Sequence, residues 1–221
     1  GRVLALPNDL RASWQRNRRL RADVSDCRVV LVTGMGGSAI AADLAAELLT
    51  DRLRVPLLTH RMPDLPDWVG PRTLVVAASY SGNTDETLAA YTGARARGAQ
   101  QIAITSGGRL SEAARTDGVP VVTLEPGSPP RAALGDSLAA LLAVLGATGL
   151  ADRVDEAVDA LETGARDALR ESAGLPTADS VAEAIAGCLP LIVAPAGFEA
   201  VARRWSTQSN ENAKTTAHRH V

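Results

Sequence analysis

Two short stretches hold the residues best suited to chemistry: Gly34-Met35-Gly36-Gly37-Ser38 and Ser79-Tyr80-Ser81-Gly82-Asn83-Thr84. Each follows an apolar run and precedes a helix-forming one, and neither contains an acidic residue. Glycine lets a backbone approach a ligand closely, hydroxyls donate hydrogen bonds, and the first turn of a helix presents N–H groups at its positive end. That combination suits a phosphate. A helix N-cap uses one hydroxyl residue; Ser79, Ser81 and Thr84 supply three around Gly82, more than capping requires. Gly34-x-Gly36-x-x-Ala39 also loosely matches a dinucleotide fingerprint. That fingerprint needs an acidic residue about 20 positions on to hold the ribose, and Thr59 and His60 stand there instead. The bland readings are a tight turn for the first stretch and capping alone for the second.

These stretches must be held by strands that end beside one another. Apolar runs at 28–33, 55–59, 74–78, 101–105 and 119–124 read as five strands. Between them lie helical patterns: one opening at Ser38, which is placed to cap it, then 84–97 and 110–116. A helix over 8–21, capped by Asn8-Asp9, precedes the first strand. Strands alternating with helices predict a doubly wound parallel α/β sheet. The proline-rich segment 126–130 breaks the pattern, and a long apolar helix is expected from Arg131 to about residue 145. Beyond it the composition shifts: a charged helix over 151–172, a break at 174–176, a helix over 179–186, a strand over 189–194 and a helix from 198 to 209 or beyond. The ending Thr215-Thr216-Ala217-His218-Arg219-His220 lacks an apolar strand, so a second α/β unit reads as a lone strand and helix, cut short. The expected division is 1–150 for a phosphate-binding α/β domain and 151–221 for a helical linker and the start of a second.

The bulk composition excludes several classes. With 221 residues and 46% hydrophobic content the chain can bury a core. A net charge of -2 and 3% aromatics argue against nucleic acid or an anionic membrane as partner. The basic run at 16–21 reads as a solvated helix face, and no apolar run reaches the roughly 20 residues that span a bilayer. Cys27 and Cys188, far apart beside apolar runs, are expected to be buried thiols in a reducing, cytoplasmic compartment. No His, Cys, Asp and Glu cluster has metal-ligand spacing, so neither metal nor cofactor is expected. Lys214 is the chain's one lysine.

Together the two turns, the Pro-Arg-Ala-Ala-Leu-Gly run at 130–135 and the Asn-Glu-Asn-Ala-Lys run at 210–214 resemble the SIS family of phosphosugar-binding domains, within it the bifunctional phosphoglucose/phosphomannose isomerases. The resemblance covers about 28–214 and implies a SIS-type five-stranded parallel sheet followed by an incomplete second SIS unit. It implies that Gly36, Gly37, Ser38, Ser79, Ser81 and Thr84 hold the sugar phosphate, that Arg131 stabilises the enediolate oxygens, and that Glu211 moves a proton between C1 and C2. Moving a proton next to a carbonyl needs a carboxylate or imidazole base and a fixed positive partner for the developing charge, which a guanidinium supplies at any working pH. Lys214, one turn after Glu211 on the same helical face, is expected to lower the carboxylate's pKa or touch substrate. The family's ring-opening histidine lies further downstream, so His218 and His220 do not take that role. The implied activity is interconversion of glucose 6-phosphate and mannose 6-phosphate with fructose 6-phosphate, in a homodimer. The alternative is a non-catalytic phosphosugar-binding module, either a sensor or a remnant.

Overall fold

Successive side chains of a strand point to opposite faces, and in this chain both faces meet a helical layer. The computed structural model describes residues 5–20, 22, 24–168 and 176–220. Strands β1 (Val29–Gly34), β2 (Leu57–His60), β3 (Thr73–Ala78), β4 (Gln100–Thr105) and β5 (Val121–Thr123) form one sheet in the order β2-β1-β3-β4-β5, with every pairing parallel. Val30, Val32, Leu74, Val76, Ile102 and Ile104 pack with Ala41, Ala42 and Ala45 of α2 (Gly36–Leu48) and with α5 (Leu134–Ala147). On the other face Leu31 and Val75 meet Ala90 and Ala94 of α3 (Asp85–Ala96), and Ala77 and Ala103 meet Leu110 and Ala114 of α4 (Gly108–Thr116). Burial on both faces explains why these strands read as unbroken apolar runs. Every residue of α5 from Gly135 to Leu145 is buried, as an all-round apolar helix requires; α1 (Leu6–Asn17) lies against it.

The chain divides into two compact units, the first reaching Thr163 and the second starting at Gly164. Helix α6 (Val154–Ala168) puts Val154, Ala157 and Val158 into the first unit's core. The second unit contains α7 (Ala178–Ile185), β6 (Leu191–Val193), α8 (Glu199–Asn212) and β7 (His218–His220). Residues 174 and 175 of the break expected at 174–176, and residues 169–172 of the helix expected to reach 172, lie outside the described residues.

Several local expectations are corrected. The tail does carry a strand: β7 pairs in parallel with β6, His218 donating its N–H to Pro190 and His220 accepting that of Ala194. The lone strand and helix are therefore a β6–α8–β7 unit. All residues of β7 are exposed, so backbone hydrogen bonds rather than apolar burial make it, and hydropathy gives no sign of it. Residues 130–132 form a 3-10 turn, and α5 starts only at Leu134. Met35, not Ser38, is the N-cap of α2, which places Ser38 inside the first turn. Helix α1 begins at Leu6 with Pro7 in its first turn and Ala5 as N-cap, ahead of Asn8-Asp9. Cys27 is half-buried and Cys188 is exposed, both free. Cys188 lies in the turn after α7, before a β6 that is itself largely exposed. No helix of the described residues is long and apolar enough to cross a membrane.

Candidate active site

Gly34, the last residue of β1, is in register with Ala78, the last of β3. The two hydroxyl-bearing turns therefore leave the sheet side by side, at the point where the strand order reverses. In open α/β sheets that crevice, beyond the strand C-terminal ends, is where ligands bind. A cavity of about 90 Å³ opens there, lined by Gly37 and Ser38 from one turn, Ser79, Ser81 and Thr84 from the other, and Pro130. Met35, Ala78 and Tyr80 complete the lining, which holds no acidic side chain. Gly36 is outside the lining; its φ of +52° turns the chain from β1 into α2. A larger groove of about 430 Å³, with Trp14, Arg18, Arg19 and Arg153 on its walls, lies by the far end of α5.

The hydroxyls are not consumed by capping. Thr84 is the N-cap of α3 yet makes no capping bond; its Oγ1 lies 2.9 Å from Ser79 Oγ. Ser79 is buried, and its Oγ accepts the Gly82 N–H at 3.1 Å. Ser81 Oγ accepts the Asn83 N–H at 3.2 Å. One proton of the Ser79–Thr84 pair is used between them; the accepting partner of that pair and Ser81 each keep a hydroxyl proton to donate elsewhere, and the first-turn N–H groups of α2 add fixed donors. The turn is braced from β4. Ser106 donates its N–H at 3.0 Å and its hydroxyl at 2.6 Å to the Tyr80 carbonyl, and Leu110 N–H reaches the Gly82 carbonyl at 2.9 Å. Asn83 Oδ1 accepts the Arg109 N–H at 3.1 Å.

Arg131 is exposed in the 3-10 turn directly after Pro130. The segment leading to it is anchored by Asp136, in the first turn of α5. Asp136 Oδ2 accepts the Glu125 N–H at 2.7 Å, and Arg16 Nη1 stands 3.7 Å from Oδ1. Burial pushes the Asp136 carboxyl up from its ordinary value, against the opposing pull of Ser13, the Glu125 N–H and Arg16.

In the second unit, Glu211 is exposed near the end of α8. Burial draws the Arg204 guanidinium, two turns earlier, below its ordinary value, and the charge of Glu211 counters that. The helical relation expected between Glu211 and Lys214 does not form. α8 ends at Asn212, Ala213 caps it, and Lys214 takes a left-handed φ of +54°. Asn210 Oδ1 accepts the Ala217 N–H at 2.7 Å as the chain turns toward β7. Sequence reasoning missed the bracing by Tyr80, Ser106 and Asn83 and the contribution of Pro130. The β3–β4 pairing brings the Ser106-Gly107-Gly108 turn against Ser81 and Gly82, a contact between segments far apart in sequence.

Residues 23–150 match the SIS domain family, and residues 176–221 match the bacterial phospho-glucose isomerase C-terminal SIS domain. A bifunctional phosphoglucose/phosphomannose isomerase of Caldicellulosiruptor bescii is 38% identical over 99% of this chain and 67% of its own length. The chain belongs to this isomerase family. The Aquifex aeolicus bifunctional phosphoglucose/phosphomannose isomerase is 32% identical over 89% of this chain and 59% of its own length. This SIS-family chain thus spans about three fifths to two thirds of such relatives. Among solved structures, the C-terminal domain of glucosamine-fructose-6-phosphate aminotransferase from Francisella tularensis shares the fold. Its TM-score is 0.71 at 12% identity, covering 99% of this chain and 68% of that one.

Proposed function

We propose that this SIS chain serves an aldose–ketose isomerase that interconverts glucose 6-phosphate and mannose 6-phosphate with fructose 6-phosphate. The observation that carries the reading is the cavity at the β1 and β3 exits, where Ser38, Ser79, Ser81 and Thr84 share a lining that holds no acidic side chain. In this reading those hydroxyls, with the N–H groups of Gly36 and Gly37, take the phosphate dianion. Arg131, next to the cavity-lining Pro130, meets the oxygens at C1 and C2. Glu211 takes the proton from one of these carbons and returns it to the other, and the shared enediolate lets one base serve both epimers. Charge on the enediolate oxygens grows only along the reaction, so a fixed guanidinium there lowers the barrier more than it strengthens ground-state binding. Lys214 contacts the substrate. The working protein is a cytoplasmic homodimer, with hexose 6-phosphate as its partner.

A coupled assay with fructose 6-phosphate and with mannose 6-phosphate, run on this chain and on Glu211→Gln, tests the reading. The parent turns over both substrates, and the substitution lowers kcat about a thousandfold, the scale of a lost general base. Turnover that survives Glu211→Gln removes Glu211 from its role. Saturable sugar-phosphate binding without turnover in the parent favours the non-catalytic binding module.

A further inference from the structure

We infer that Tyr80 is a positioning residue: its phenol ties segment 125–130 to the hydroxyl-bearing turn and so sets where Arg131 stands. The inference rests on the isomerase reading, in which Arg131 meets the reacting oxygens. Tyr80 sits between two serines that face the phosphate cavity, yet its hydroxyl is engaged elsewhere. It donates to the Glu125 carbonyl at 2.8 Å and accepts the Ser128 N–H at 2.7 Å. Both hydrogen-bonding roles of the phenol are thereby used on one loop. That loop has unusual need of them. Residues 126, 129 and 130 are proline and contribute no N–H, so the segment cannot hold itself by an ordinary backbone ladder.

The anchorage is continuous from the sheet to the arginine. Ser106 fixes the Tyr80 carbonyl with two hydrogen bonds, at 3.0 Å and 2.6 Å. Tyr80 fixes Glu125 and Ser128, and Asp136 takes the Glu125 N–H from the other side at 2.7 Å. Arg131 follows three residues after Ser128. The Pro130 carbonyl lies against the first turn, so near Gly37 that a Cβ built there would stand 3.1 Å away. A guanidinium that must meet a developing oxyanion gains from such restraint, because small misplacements of a catalytic group carry large rate penalties. The phosphate hydroxyls do not depend on the phenol: Ser79, Ser81 and Thr84 are held by bonds within their own turn.

The test compares the parent chain, Tyr80→Phe, Arg131→Ala and the double variant. It uses calorimetric titration with inorganic phosphate and with 5-phospho-D-arabinonate, whose carboxylate stands in for the enediolate. Tyr80→Phe is expected to leave phosphate affinity within about twofold and to weaken phosphoarabinonate about tenfold. Adding it to Arg131→Ala is expected to weaken phosphoarabinonate no further, since both act through one contact. Exchange of the Ser128 amide with solvent is expected to quicken about tenfold in Tyr80→Phe. Phosphoarabinonate binding that is unchanged in Tyr80→Phe but impaired in Arg131→Ala overturns the positioning role and leaves that of Arg131 standing. Parallel loss of both ligands in Tyr80→Phe, additive effects, or an unchanged Ser128 amide also overturn it. Parent-like binding by Arg131→Ala removes the role given to Arg131, and this inference with it.

Discussion

Gly82 and Gly36 both adopt a left-handed backbone, with φ of +69° and +52°, but they differ in what surrounds them. A Cβ on Gly82 would overlap the Gly107 carbonyl, a backbone atom that cannot rotate away, whereas one on Gly36 meets nothing within 4 Å. Gly82→Ala therefore carries both the dihedral penalty and a steric one, and is expected to lower stability by about 3 kcal/mol or more. Gly36→Ala carries only the dihedral part, about 1 kcal/mol. Urea unfolding followed by circular dichroism separates the two. Inorganic phosphate binding should be lost in Gly82→Ala, because Ser81 and Thr84 flank the displaced residue. Equal destabilisation by the two substitutions would show that contact with the β4 exit turn is unimportant. The sequence marked both glycines as special, but nothing in it distinguished them, because the contact that does so comes from a residue 25 positions away.

Helix α5 is the element on which the first unit turns, and Asp136 is the carboxylate buried in it. Its folded carboxyl has a raised pKa, so at a pH between that value and the unfolded chain's ordinary one, about 3.9, the folded chain binds more proton than the unfolded chain. The stabilisation from that proton is complete below the ordinary value and disappears as pH rises through the raised one. Asp136→Asn keeps an oxygen for the Glu125 N–H and cannot titrate. The stability difference between parent and Asp136→Asn should thus shift in favour of the parent as pH falls from neutral toward 4. A difference that stays flat in paired urea titrations would contradict this. At this scale the sequence was informative where burial dictates composition: β1, β3, β4 and the apolar body of α5 were readable from hydrophobic runs. It was silent where backbone bonds decide. The 3-10 turn at 130–132, the Met35 cap and the exposed β7 carry no hydropathy signal, and neither does the end of α8, past which Lys214 turns left-handed and Asn210 accepts the Ala217 N–H.

At the scale of the whole molecule, the two units are unequally furnished. Among the described residues of the second unit, the buried hydrophobic side chains are Ala200, Ala202 and Ala217, while Leu189, Leu191, Val193, Phe198 and Trp205 are exposed. A two-stranded sheet with so small a core is marginal by itself. Amides of β6, β7 and α8 should therefore exchange with solvent about tenfold or more faster than those of β1, β3 and β4 in native-state measurements; uniform protection would refute that. The two hydroxyl-bearing turns at the strand exits were legible from residue types alone, and the structure brings them to one cavity. The bracing around them was not, because it comes from two other segments, 106–110 and 125–130. The cavity's make-up has one more consequence. Its lining carries no carboxylate, imidazole or amine side chain. The acidity of any bound monoester, whose second ionisation falls near pH 6, therefore governs how tightly the cradle itself grips across the physiological range: the guest, not the host, writes that profile.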